Sequence, residues 1–241
     1  MEYFQYLSIF HLLEFLAATF GTYYLYKVRP RNRFTRYLVY FLWFTLAVEI
    51  IGIYAQYAYY SNYEKLSFLK GTVFERNYWL YNLKSILEYL VFIFFFRSFL
   101  HHKFSRKIIV YLSSFFLVSA IIYLIFSGEY FMSQSAYTSI VGNMVLMISI
   151  GMYFFELLNS PNIIYFKTLL PVYIAIGELI FQLVLTPLRI YSRYFNMSLS
   201  PEFVALWKPT LIIVNVYLYS IFILGFIICS RKKQSESIIE L

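Results

Sequence analysis

Seven apolar stretches, at about 5–26, 37–60, 78–100, 108–126, 137–158, 168–189 and 205–229, occupy most of this 241-residue chain. A helix needs about 20 apolar residues to cross the hydrocarbon core of a bilayer, so each stretch is long enough to span. Composition agrees: 61% of residues are hydrophobic and only 13% charged, where a water-exposed domain carries about 25% charged residues. An integral membrane protein is expected, with no length left over for a soluble catalytic domain. The N-terminus, MEYFQYLSIF, has no basic region and no small-residue cleavage site ahead of its apolar run. It therefore reads as a first transmembrane helix and not as a removable signal peptide.

The basic residues orient the chain. After the first stretch come Lys27, Arg29, Arg31, Arg33 and Arg36; after the third, Arg97, Lys103, Arg106 and Lys107; after the fifth, Lys167; after the seventh, Arg231, Lys232 and Lys233. Those thirteen face six on the other side, namely Lys65, Lys70, Arg76, Arg189, Arg193 and Lys208, and only Lys84 lies inside a span. The richer side is cytoplasmic by the positive-inside rule, which puts the N-terminus outside and the C-terminus inside. A net charge of +8 is thus accounted for by loops that orient helices, and no nucleic-acid partner is expected. Tyr57, Tyr59, Tyr60, Tyr78, Trp79 and Trp207 cluster at stretch ends, where amphipathic rings prefer the headgroup level. The tail after Cys229 is too short to fold by itself.

Comparing the chain with itself suggests duplication. The stretch from Gly21 aligns with that from Gly151, pairing Tyr23 with Tyr153 and, after a one-residue gap, Pro30 with Pro161; Glu49 then falls on Glu178 and Trp79 on Trp207, followed by Tyr89 on Tyr217 and Phe94 on Phe222. The expected fold is therefore all-α: a polytopic membrane protein with seven transmembrane helices in a 3+1+3 arrangement and parallel pseudo-repeats. Residues 1–104 form the first three-helix repeat, 105–134 the linker helix, 135–230 the second repeat and 231–241 a cytoplasmic tail. With one linker span, the triplets share an orientation and are related by an axis along the membrane normal.

This plan resembles the SWEET and PQ-loop sugar and amino-acid transporters and the nicotinamide riboside transporters of the PnuC type. The resemblance covers nearly the whole chain and rests on topology. Pro30 and Pro161 loosely match the proline of the PQ-loop signature, although Arg31 and Asn162 stand where that signature has Gln. The abundance of Tyr, Phe, Ile and Lys also resembles uncharacterised seven-helix membrane proteins of Bacteroidota, which implies a bacterial inner membrane as the location.

Four glutamates lie near the middle of their stretches: Glu14, Glu49, Glu88 and Glu178. Ionisable groups at the bilayer centre cost several kcal/mol unless paired or solvated, so they should face the bundle interior or a cavity. Helical spacing extends two of them into polar stripes, Thr45, Glu49, Gly52 and Gln56 in the second stretch, and Glu178, Gln182, Thr186 and Arg189 in the sixth. Lys84 precedes Glu88 by four residues, the spacing of an intrahelical ion pair, and His11 lies beside Glu14. Asn143 and Asn215 add amides expected to face the same interior. The candidate substrate- or proton-binding set is Glu14, Glu49, Glu88, Glu178, Lys84, Asn215, Gln182 and His11. Glu156 falls near the cytoplasmic boundary and reads as interfacial.

Two functions fit. One is a transporter of a small polar solute through a midplane cavity, with proton coupling, because one lysine balances only one of several crowded carboxyls. The other is a sensory or scaffold subunit of a larger complex that docks a protein partner on its basic cytoplasmic face. The bland alternative is a satisfied polar network that holds helices together. Enzymatic chemistry is not expected. Cys229 is the only cysteine, and His11, His101 and His102 lie too far apart in the chain for a three-ligand zinc site. No phosphate loop or nucleophile elbow occurs, and no cofactor is expected. A retinal pigment would need a lysine deep in the last stretch, where Lys208 sits only at the end.

Overall fold

The computed structural model describes residues 2–191 and 201–231. Their regular structure is all helical, with eight α-helices: α1 (Glu2–Val28), α2 (Arg33–Tyr60), α3 (Tyr78–Arg97), α4 (Lys103–Ser127), the single turn α5 (Glu129–Met132), α6 (Ala136–Leu158), α7 (Leu170–Tyr191) and α8 (Pro201–Arg231). Six of these, α2, α3, α4, α6, α7 and α8, are long and apolar enough to cross a membrane. The chain is a multi-pass membrane protein. Helix α1 has spanning length at 27 residues but is not among the six; His11 and Glu14 interrupt its apolar run.

Two helices start earlier than their apolar stretches. Arg33 and Lys103 open α2 and α4, ahead of the 37 and 108 expected from hydropathy. Hydropathy marks the part of a helix that meets hydrocarbon, whereas hydrogen bonding continues through charged residues whose long stems reach outward. Local chemistry fixes the ends. Asn32 caps α2, its Oδ1 accepting from the Phe34 amide, and its Nδ2 donates to Ser98 Oγ at 2.7 Å, which ties the α1–α2 turn to the end of α3. Gly128, at φ 70°, supplies the left-handed residue that ends α4. Ser135 caps α6 through the Thr138 amide. Buried Asn82 on α3 holds this corner: its Nδ2 donates to the Tyr130 and Ser133 carbonyls, and its Oδ1 accepts from the Ser135 amide.

The helices pack in a closed sequence of neighbours: α1 on α2, α2 on α3, α3 on α6, α6 on α7, α7 on α8, and α8 back on α1. Helix α4 packs against α3 and α6 and exposes Tyr111, Phe115, Ile125 and Phe126, the surface expected where a helix meets lipid. Aromatic side chains fill the interior: Phe95, Phe96, Phe116 and Phe226 are completely buried. Close approach depends on small residues, as is common between membrane helices. A Cβ on Gly142 of α6 would overlap the buried ring of Tyr89 on α3. Gly21 and Gly151, paired by the sequence alignment, differ in surroundings, since a Cβ on Gly21 would meet Val39 and Phe226 at 3.1–3.2 Å whereas one on Gly151 would meet nothing within 4 Å. Arg193 and the tail beyond Arg231 lie outside the described residues.

Candidate functional site

A cavity of about 310 Å³ opens within the ring of helices, at the low end of the range for small-ligand sites. Its walls combine aromatic rings, among them Phe41, Phe181 and Phe222, with charged side chains from four helices. Glu14 comes from α1, Glu49 from α2, Lys84 and Glu88 from α3, and Glu178 and Arg189 from α7. Thr45, Tyr81, Ser85, Asn215 and Tyr219 also line it. Each glutamate lies near the midpoint of its helix, so elements distant in sequence bring their carboxyls to one level.

Six of the eight candidate residues therefore meet at one cavity: Glu14, Glu49, Glu88, Glu178, Lys84 and Asn215. Gln182 is fully buried behind the wall, one turn along α7, where its Nε2 donates to Glu178 Oε2 at 3.3 Å. His11 is half-buried and is not a wall residue. Asn143 is also off the cavity and donates to Thr186 Oγ1 at 2.6 Å, joining α6 to α7. Asn215 returns its Nδ2 to the Leu211 carbonyl of its own helix.

The lysine does not pair as its spacing suggests. Lys84 Nζ lies 2.6 Å from Glu49 Oε1 on α2, and not against Glu88 one turn along α3. The reason is partly intrinsic, because a lysine N-terminal to a glutamate at this spacing is the weaker order. It is also tertiary: Tyr81, three residues before Lys84, donates its hydroxyl to Glu49 Oε2 at 2.7 Å. Glu49 thus receives a charged and a neutral donor from α3, and neither its sequence nor that of α3 announces the match. Glu14 is held differently. Tyr219 of α8 donates to its Oε1 at 3.0 Å, while Glu14 Oε2 and the Thr45 hydroxyl are buried without a hydrogen-bond partner. Tyr81, Tyr219 and Arg189 are site-forming residues that the candidate set lacks. Two of them are hidden among 26 tyrosines.

Glu156 lies two residues before the end of α6. It is 7% exposed, and its Oε2 accepts from the backbone amides of His101 at 2.6 Å and His102 at 3.3 Å. These amides stand at the start of α4, where helices leave donors unpaired. No three His, Cys or Glu side chains among the described residues come together to hold a metal ion.

The site has four carboxyl groups against one ammonium and one guanidinium. Such an arrangement can bind a solute through donors that reach Glu14 and Glu178, and it can exchange protons. No protein family, curated protein or solved structure matches the chain.

Proposed function

We propose that the chain is a transporter that moves a small polar solute through the central cavity, coupled to protons through the carboxyls that line it. The observation that carries this reading is the cavity itself: an opening of about 310 Å³ in the middle of an apolar bundle, walled by Glu14, Glu49, Glu88 and Glu178, with Glu14 Oε2 unpartnered. A polar network that served only to hold helices together would satisfy its own groups and leave no space. The excess of acidic over basic groups selects solutes rich in hydrogen-bond donors or positively charged.

In this reading seven helices span, α1 included, in the 3+1+3 plan: α1–α3 and α6–α8 are pseudo-repeats, and α4 is the linker. What supports it is that α1–α3 and α6–α8 together close the ring while α4 packs outside it against α3 and α6, the place of a linker between two triplets. Movement of one triplet against the other would expose the cavity to each side in turn. The N-terminus lies outside and the C-terminus in the cytoplasm of a bacterial inner membrane.

The test is solute-driven proton movement. Purified protein in liposomes enclosing a pH-sensitive dye is given pools of amines, amino acids and sugars. At least one pool should acidify or alkalinise the lumen beyond protein-free liposomes, and Glu178→Gln, which keeps shape and removes charge, should cut that signal at least tenfold. If no pool gives a signal with folded protein, the sensory or scaffold reading replaces transport.

A further inference from the structure

A second cavity, of about 270 Å³, lies at the other end of the same bundle, walled by Tyr24, Thr35, Ser98, Tyr153, Glu156 and Cys229 among others. It is not a limb of the first. Along α8, Phe222 lines the central cavity and Cys229 the second, a separation of about 10 Å at the rise of an α-helix. Between them lies a layer formed by Phe95, Phe96, Ile174, Ala175 and Phe226, each with no exposed surface.

Glu156 is the acidic residue of this second cavity. One of its carboxylate oxygens is committed to the His101 and His102 amides, but the other, Oε1, is buried with no hydrogen-bond partner. Removing a carboxylate oxygen from water without a donor is costly. The neighbouring hydroxyls do not serve it: Ser98 donates to the Phe95 carbonyl, Ser160 to Leu157 and Thr168 to Tyr165. A ligand in the cavity can bring the donor, and the donor best matched to a carboxylate is itself charged.

We infer that this cavity is a binding site for a primary ammonium group, whose N–H donors complete Glu156. The ammonium can belong to a soluble amine or to a phosphatidylethanolamine headgroup. The inference stands apart from transport, since it concerns different residues beyond a dry layer.

Cys229 is the chain's only cysteine and lines the same cavity, so its alkylation reports occupancy. Full-length protein in nanodiscs of phosphatidylcholine and phosphatidylglycerol is labelled with N-methylmaleimide at constant ionic strength. Ethanolamine should slow labelling at least threefold and saturably, whereas propionate, which tests the opposite charge against Arg31 and His101 in the same walls, should not. Glu156→Gln should lose the protection and Glu178→Gln should keep it. If the lipid is the occupant, discs containing phosphatidylethanolamine should label slowly without added amine, again only with Glu156 intact. Should Cys229 prove unreactive, the rise in thermal midpoint with ethanolamine, read from tryptophan fluorescence, gives the same comparisons. The inference is overturned if neither amine source has an effect, if propionate acts as strongly, or if Glu156→Gln responds like the unmodified protein.

Discussion

At the residue scale, charge and backbone geometry are settled by partners from other parts of the chain. Tyr63, in the loop after α2, sits at φ 62°, a left-handed conformation that a bulky side chain seldom adopts. Its hydroxyl donates to Glu75 Oε1 at 2.7 Å, and Glu75 Oε2 accepts from the Gly71 amide at 2.9 Å. The Tyr63 hydroxyl and then the Gly71 amide hold the Glu75 carboxyl below its ordinary range, while the hydrogen bond to Glu75 pushes Tyr63 above the ordinary phenol range. The signs set a window. The Glu75 contribution is present above the ordinary carboxylate range and is lost as pH falls through the lowered value; that of Tyr63 is present below the ordinary phenol range and is lost as pH rises through the raised one. Amide exchange at Gly71, corrected for its intrinsic pH dependence, should be slowest across the neutral range and quicken at both extremes. In Glu75→Gln the acid limb should vanish. An acid limb that persists in the variant would show that another group controls the loop.

At the element scale, helix contacts depend on where small residues fall. Gly142→Ala places a methyl group into the Tyr89 ring, and both residues lie in the α3–α6 contact, so the helices must separate or the ring must leave its rotamer. Overpacking of this kind costs about 1–3 kcal/mol. Gly151→Ala on the same helix meets open space and should be neutral or stabilising by about 0.5–1 kcal/mol, from helix propensity alone. Thermal midpoints in one detergent check the pair: the first should fall and the second should not. Equal effects would mean that α3 and α6 do not approach as described. The sequence contrast between these glycines is nil, which illustrates why apolar periods and proline positions reveal the helices but not their contacts. Six spans were legible because hydrocarbon imposes length and apolarity, whereas the first expected stretch, in α1, is not among the helices apolar enough to cross. Helix ends were less so, because Arg33 and Lys103 are helical yet polar. Lys84 had a visible partner at four residues and took an invisible one, Glu49, because the choice was made by the packing of α2 on α3. For Glu156 the sequence shows a place near the end of α6 but not its burial, which comes from the turn between α3 and α4 folding over it.

At the scale of the whole molecule, the mid-helix glutamates were readable because charge is rare and costly in an apolar span. That Glu14, Glu49, Glu88 and Glu178 share one cavity wall depends on ring closure between α8 and α1, which no local pattern encodes. The proposed solute movement runs through that cavity, and a reporter inside it tests the link most directly. Ser85 lines the cavity and can be replaced by cysteine in a Cys229→Ala background, then reacted to completion with a bulky methanethiosulfonate, which joins its group to the thiol through a disulfide and releases sulfinate. An adduct of more than about 150 Å³ would fill much of a site of this class. Solute-driven proton movement in liposomes should be abolished by this modification and restored when a reducing agent removes the adduct. Full activity with Ser85→Cys quantitatively modified would contradict passage through the cavity.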